Sequence, residues 1–434
     1  MNFQKTDLKR TPLYEWHVSQ GASMESFGGY TMPLWYPTGA RHEHLSVIRE
    51  AGLFDTSHMA TVTVSGPNAR ELLQWCFTRD LDGCSGNSCN PLRDGELVYG
   101  AFLDRQGFCI DDAIVYQASP RRFMVVVNAS MGAQVANHLK ACAKNFQVEI
   151  VDLSDRLGKV DIQGPCSARI LSCIFEKPDI LRGMRFFTFK GNYDPGIHSA
   201  AEVTLKTGTP ILLSRSGYTG EIGFELFISA DKTLELWEIL IKAGRGFGLT
   251  PCGLAARDSL RTGAGLPLSH QDIGPWPFIN HPWSFALPFS PAGTGFTKDF
   301  LGAEALESCD CSEYTFPFVG MDPRKVDHDQ ARAVDRDGTT IGSVLTCVTD
   351  TSIDRRDGRI YSIASPDRPR DFKPRGLSCG FVRASRKLHP GDEITIKNGN
   401  REIPVQITET IRPARTARMP LNKFFEDSVC ASAA

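Results

Sequence analysis

Between about residues 51 and 264 the chain alternates strand-type and helix-type apolar patterns in a repeating β-β-α order, which restricts it to mixed folds with helices covering a sheet. Residues 43–53 place Leu45, Val47 and Ile48 at helical spacing, with a helix stop expected at Gly52. FDTSHMATVTVSG then alternates like a strand, and NARELLQWCF (68–77), after a Gly-Pro start, carries Leu72, Leu73 and Trp75 on one helical stripe. GELVYGAFLDRQGFCIDDAIVYQ reads as two β segments joined by a turn at Asp104–Gly107, and FMVVVN reads as a buried strand. A helix is expected over 130–143, strands at VEIVDLS and 160–162, and a helix from Gln163-Gly164-Pro165 through Ile174. Past a Gly- and Pro-rich loop at 190–197, strands are expected at AEVTLK, ILLSR and GFELFIS, and helices at 234–243 and 254–264. The two halves before residue 250 read as structurally similar.

Six prolines between 266 and 295 argue for ordered, irregular structure there. Beyond Pro317 the pattern changes to short strands, with a hairpin turn at Asp337-Gly338, and a compact C-terminal β-domain is expected. The charged, Pro-rich insertion at 351–375 reads as an exposed loop. With 434 residues, the length prior of ~150 residues per domain suggests three domains.

Hydrophobic residues are 41% and charged residues 23%, and 48 Lys+Arg nearly balance 50 Asp+Glu. A formal charge of −2 supplies no broad basic field, so nucleic-acid binding is not expected and small-molecule chemistry is. The 13 cysteines are odd in number and scattered, among them Cys76, Cys84, Cys89, Cys109 and Cys142. None has C-x-x-C spacing, and Cys309 and Cys311 are two apart, so no zinc ribbon or thioredoxin-like motif is read; a reducing compartment with Cys as a small buried hydrophobe fits. MNFQKTDLKRTPLYEWH has no apolar run to act as a secretory signal, and no stretch approaches the ~20 apolar residues of a membrane span. The expected location is cytoplasmic, or an organelle matrix.

Asp111-Asp112 sit between apolar residues just after a turn. Strand alternation would aim at most one of them into a cavity, where desolvation suits a carboxylate to accept a proton or stabilise a cation; the bland alternative is that both cap the turn. SRSGYTGEIGFEL (214–226) packs glycines, two acids and a phenol together. Glu225 there could accept paired hydrogen bonds from an amidine-like ring edge, or the stretch is a plain Gly-rich connection. Arg257-Asp258 reads as an anion clamp or as a helix-surface ion pair. His58 reads as a structural histidine, and His42 and His44 lack a zinc pattern. No P-loop, dinucleotide loop or G-x-S-x-G elbow is present.

Eight motifs in order, LKRTPLY (8–14), FGGYTMP (27–33) with Tyr36, LFDTSHM (53–59), IDDAIVY (110–116), VVNA (126–129), QGP (163–165), SRSGYTGEIGFEL (214–226) and GLAARDSLR (253–261), resemble the tetrahydrofolate-dependent aminomethyltransferases, the glycine-cleavage T-protein family. The resemblance is dense over about the first 270 residues and loose beyond. It implies an α+β fold of three domains around a central folate-binding cavity, with residues 1–310 forming two interleaved α+β domains and 311–434 a C-terminal β-barrel-like domain. It makes Asp112 the catalytic residue and Glu225 the pterin anchor, with Arg257, Tyr99, Tyr116, Val127, Asn128, Tyr218 and Met59 binding the cofactor. Tetrahydrofolate would be the co-substrate, without metal, PLP or NAD. The methylene would come from an aminomethyl-lipoyl carrier, the H-protein, with release of ammonia. Neither membrane nor nucleic acid is an expected partner. The segment 272–283 departs from the family pattern: acids after Asp272 are missing, and Trp276, Phe278, His281 and Trp283 have appeared. That departure keeps open a folate-dependent methyltransferase or demethylase acting on a small O-, N- or S-methylated compound. A non-catalytic folate-binding protein is the third reading.

Overall fold

The structure is a computed structural model that describes residues 8–83, 90–194, 201–292 and 294–425. Cys84, Cys89, the first seven residues and part of the 190–197 loop lie outside the described residues. Among those described, eleven strands form one sheet in the order Leu249–Pro251, Ala51–Asp55, Leu157–Gln163, Gly223–Ser229, Leu212–Arg215, Thr188–Gly191, Glu96–Leu103, Cys109–Ser119, Arg122–Val127, Ala60–Ser65 and Glu149–Asp152. The sheet is two copies of one pattern. Each half runs strand, helix, three strands, helix, strand, the first from Ala60 to Asp152 and the second from Leu157 to Pro251. The halves meet where Thr188 pairs with Glu96, and strand order outward from that seam is the same in both, apart from the insertion of Ala51–Asp55 in the second.

Each half covers one sheet face with its two helices, and the strand alternation decides which side chains go where. In the first half Val125 and Val127 turn toward helices Ala69–Cys76 and Gly132–Cys142 and join Leu72, Leu73, Val135 and Leu139 in a core. Met124 and Val126, the alternate positions, instead join Leu97, Tyr116, Phe189, Leu212 and Phe227 in a cluster that spans the seam. Helices Ser167–Ile174 and Thr233–Gly244 cover the second half with Leu171, Trp237 and Leu240. Strands Tyr314–Gly320, Leu377–Ala384, Thr340–Asp350, Arg332–Val334, Glu393–Asn398 and Arg401–Ile407 close a six-stranded barrel.

Four local expectations are corrected. The helix at 43–53 runs over Ala40–Arg49, and Gly52 lies inside a buried strand, where a Cβ would collide with Val47 and Cys252. FDTSHMATVTVSG is two strands, Ala51–Asp55 and Ala60–Ser65, separated by a turn closed by Met59 N donating to Thr56 O at 3.0 Å. AEVTLK forms only isolated bridges, Thr204 with Pro210 and Leu205 with Phe175. The 351–375 insertion contains a hairpin, Ile353–Arg356 with Arg359–Ser362, whose Ile353 and Ser362 are buried. A disulfide joins Cys309 to Cys311.

Candidate functional site

The turn at Asp104–Gly107 is braced by Asp104, whose Oδ1 accepts from Gln106 N and Phe108 N at 2.9 Å each. This leaves Asp111 and Asp112 free for other partners. Register shifts between Phe102 and Leu103, which face Asp111 and Cys109, so Ile110 is an extra residue in the ladder. The irregularity lies immediately before Asp111, where an extra residue bends the strand and increases its local twist. Asn128 Nδ2 donates to Asp111 Oδ1 at 2.8 Å and to Asp112 Oδ1 at 2.6 Å. Asp111 is fully buried and also accepts from Asn128 N at 2.8 Å and Ser269 Oγ at 2.9 Å, with His270 Nε2 at 3.5 Å. Asp112 is only partly buried, and its Oδ2 accepts from Tyr99 Oη at 2.7 Å. Burial and the adjacent Asp111 charge push the Asp112 carboxyl up to about 6, against the opposing hydrogen bonds from Tyr99 and Asn128.

A second polar group lies on the neighbouring half. Asp161 and Glu225 are cross-strand partners, and Lys159 is two residues from Asp161, so all three side chains share a face. Lys159 Nζ, itself buried, donates to Glu225 Oε1 at 2.5 Å and Asp161 Oδ1 at 2.6 Å. Glu225 Oε2 accepts from Tyr116 Oη at 3.2 Å and from Ser216 Oγ. Asp161 accepts from Thr56 Oγ1 at 2.8 Å and pairs through Oδ2 with Arg257 at 3.1 Å. The Arg257 guanidinium stacks 4.8 Å from the Tyr218 ring centroid. His58 is buried beside this group with Nδ1 unpartnered, and burial together with the Arg257 charge pushes its imidazole down to about 4.

The residues expected from sequence therefore form two groups. Asp112, Tyr99 and Asn128 make the first; Glu225, Tyr116, Arg257 and Tyr218 make the second. Tyr218 links them, because both Asp112 and Arg257 act on its phenol, which burial pushes well above the usual range. Met59 packs against the seam cluster that contains Tyr116. Val127 belongs to the helix-covered core, so its side chain is turned from both groups. Sequence reading missed Lys159, Asp161, Ser216, Ser269 and His270. A signal existed for the first two: charges at alternate positions in the otherwise apolar run LGKVDIQ must be buried together and hence paired. Of the aromatic residues of 272–283, Trp283 and Phe278 are packed inward in one core with Phe381 of the barrel, with Trp283 Nε1 donating to Gly265 O at 2.8 Å, while Trp276 is partly exposed beneath Arg383.

Residues 13–276 match the family model of the GCVT N-terminal domain. An aminomethyltransferase of Halothermothrix orenii is 33% identical over 410 residues, 93% of this chain and 99% of that protein. One of Shouchella clausii is 37% identical over 311 residues, covering 70% and 75% of the two chains. Among solved structures, glycine cleavage system aminomethyltransferase T from Bartonella henselae superposes with a TM-score of 0.74 at 27% identity, covering 94% of this chain and 99% of that one.

Proposed function

The chain belongs to the GCVT family of aminomethyltransferases, and on that footing we propose the role of each part of its site. It is an enzyme, the aminomethyltransferase of the glycine cleavage system. The family works with tetrahydrofolate, and the residues fit such a group. Glu225 accepts three hydrogen bonds, from Lys159, Tyr116 and Ser216, of the roughly four that a carboxylate can take, so it retains acceptor capacity for a pterin edge. Tyr218, Tyr99 and Met59 offer flat or apolar surface for the ring, and Arg257 offers a cation for the carboxylates of the tail. Asn128 holds the Asp112 carboxylate in place, and Tyr116 holds that of Glu225. Val127 contributes through its backbone.

Tetrahydrofolate, as co-substrate, would supply the two nitrogens that take up the methylene as its bonds to the lipoyl sulfur and to the amino nitrogen break, leaving the carrier's dithiol and ammonia. Asp112 is the catalytic group. Half-buried and held by Tyr99 and Asn128, it is placed to take a proton and to stabilise positive charge developing at the transferred carbon. The single observation that carries this reading is the geometry of that carboxylate, half-buried with one oxygen held by Tyr99 and the other by Asn128. Only protons and a one-carbon unit move, so the transfer requires no metal, PLP or nicotinamide.

The donor is the aminomethyl group on the lipoyl arm of an H-protein, a reading supported by the family. The small methylated compound is not favoured, since relatedness to aminomethyltransferases extends over 93% of the chain. We read residues 1–310 as the folate-binding region and 311–434 as the barrel domain. No helix among the described residues is long and apolar enough to cross a membrane. The cytoplasmic reading draws on the free thiols of Cys76, Cys109, Cys142, Cys173, Cys252, Cys347 and Cys379, while the Cys309–Cys311 disulfide stands against it.

Titration of tetrahydrofolate into the native chain, Glu225→Gln and Asp112→Asn tests these roles. Glu225→Gln is expected to weaken binding by about 10- to 100-fold, the loss of a charged hydrogen-bond acceptor. Asp112→Asn is expected to bind within about 10-fold of native while turnover is lost. Native affinity in Glu225→Gln would refute the pterin-anchor role.

A further inference from the structure

Away from this site, three metal-ligating side chains converge between two helices of the first half. Cys76 is the last residue of helix Ala69–Cys76, and His138 and Cys142 stand four residues apart on helix Gly132–Cys142. A spacing of four puts His138 and Cys142 on one face, and that face meets the end of the other helix. One ligand atom from each residue lies within 4.8 Å of the others. Cys76 is buried in the helix-covered core, Cys142 is partly buried against it, and both thiols are free.

His138 distinguishes this cluster from two thiols that merely fill space. Its Nε2 is enclosed and has no hydrogen-bond partner, and its ring meets Phe102 edge-on at 6.2 Å. An enclosed nitrogen left unbonded costs about 1–3 kcal/mol, which a ligand at that position would recover. Neither an apolar role for the two cysteines nor a disulfide between them accounts for an imidazole held against them.

We propose that Cys76, His138 and Cys142 form a zinc site that clamps the two helices together, with water as the fourth ligand. The donor set selects the metal: two thiolates and an imidazole suit a soft, tetrahedral divalent ion and not magnesium or calcium. Zinc–sulfur bonds of about 2.3 Å and zinc–nitrogen bonds of about 2.0 Å set tetrahedral ligand atoms about 3.5–3.8 Å apart. Separations of at most 4.8 Å exceed that spacing by no more than about 1.3 Å. Binding transfers the thiol protons to solvent, so two Zn–S bonds and one Zn–N bond form as up to two protons leave, with no change of oxidation state. The ligands come from positions 76, 138 and 142, which is why no short cysteine motif marks the site. The site shares no residue with the Asp112 and Glu225 groups.

The test uses the full chain purified under reductant, stripped with chelator, and titrated with zinc or with cobalt as a spectroscopic probe. The expected result is one cobalt per chain with thiolate-to-cobalt charge-transfer absorption, and a higher melting temperature with zinc than after chelation. Cys142→Ser and His138→Ala, at partly exposed positions that leave the buried Cys76 intact, should both lose the absorption band and the zinc-dependent rise. A zinc content below about 0.1 per chain after reconstitution, or an unchanged cobalt spectrum in Cys142→Ser, overturns the proposal. A Cys76–Cys142 disulfide recovered under reductant by peptide mapping also overturns it, in favour of a redox pair.

Discussion

Asp111 and Asp112, neighbours on one strand, accept from the same side-chain nitrogen, Asn128 Nδ2, at 2.8 and 2.6 Å. Consecutive strand residues ordinarily face opposite sides; here an extra residue, Ile110, interrupts the ladder immediately before Asp111. The shared donor sets two like charges side by side. Asp111 is buried with Asn128 and Ser269 around it, and Asp112, at the more open position, carries the raised proton affinity.

Turnover is therefore expected to rise with pH through about 6, because the ionised Asp112 is the active form. Asp112→Asn should lower kcat by about 10²–10⁴ and abolish this limb. Initial rates measured from acid to neutral pH check both; a native-like limb in the variant would assign the titration to another group.

His270 provides a second handle on the same pair. A hydrogen bond to Asp111, outweighing burial, raises its imidazole above the usual value, and its backbone sits at φ 62°, where glycine is at ease. The groups around it are Asp111 and Asp112, with Tyr99 and Cys109 beyond them. His270→Gly removes a cation next to Asp111, so Asp112 should be pushed further up and the acid limb should move by about 0.5–1 pH unit to higher pH. The stability that the raised His270 contributes is complete below about pH 6.5 and fades as pH rises through its folded value. The Tm deficit of His270→Gly should accordingly be larger in mild acid than in alkali.

Lys159→Met should destabilise the fold by about 3–5 kcal/mol, since it strands the buried Glu225 carboxylate without a cation, beside an Asp161 left to Arg257 alone. Urea denaturation measures the loss. Adding Glu225→Gln should return part of it, as the second substitution removes the stranded charge; additive losses would show that Lys159 acts through packing alone.

Arg412 ties the C-terminal segment to the core: it is fully buried, pairs with Asp350 at 2.8 Å, and donates to Thr219 O. On the other side of Asp350, His44 Nε2 lies 3.0 Å from Oδ1. Burial pushes the Asp350 carboxyl up, but Arg412 and His44 outweigh it and hold the group well below the usual carboxylate range. Its stabilisation is therefore present above about pH 4 and lost as pH falls below that. Arg412→Met should cost about 3–5 kcal/mol and move acid unfolding to higher pH, as followed by circular dichroism.

The helices were legible because their apolar stripes are local, and Asn68–Phe77 and Leu254–Ala264 lie within a residue or so of the observed bounds. Gly52 misled because its cue suits a helix end as well as a close approach to Val47 and Cys252, and only packing distinguishes them. Asp112 and Glu225 were legible through the family motifs in which they lie. Lys159 and Asp161 were legible only as a pair with each other, since their further partners, Glu225 on a strand and Arg257 on a helix, lie more than 60 residues away in sequence. His270 was obscured for a similar reason, because Asp111 is far from it in sequence.

The most direct measurement incubates the chain with an aminomethylated lipoyl H-protein and tetrahydrofolate and quantifies ammonia and methylenetetrahydrofolate. Equal amounts of the two products, dependent on the carrier and lost in Asp112→Asn, are the predicted result. Absence of both products with the carrier, together with methyltetrahydrofolate formed from a free methylated compound, would contradict the account.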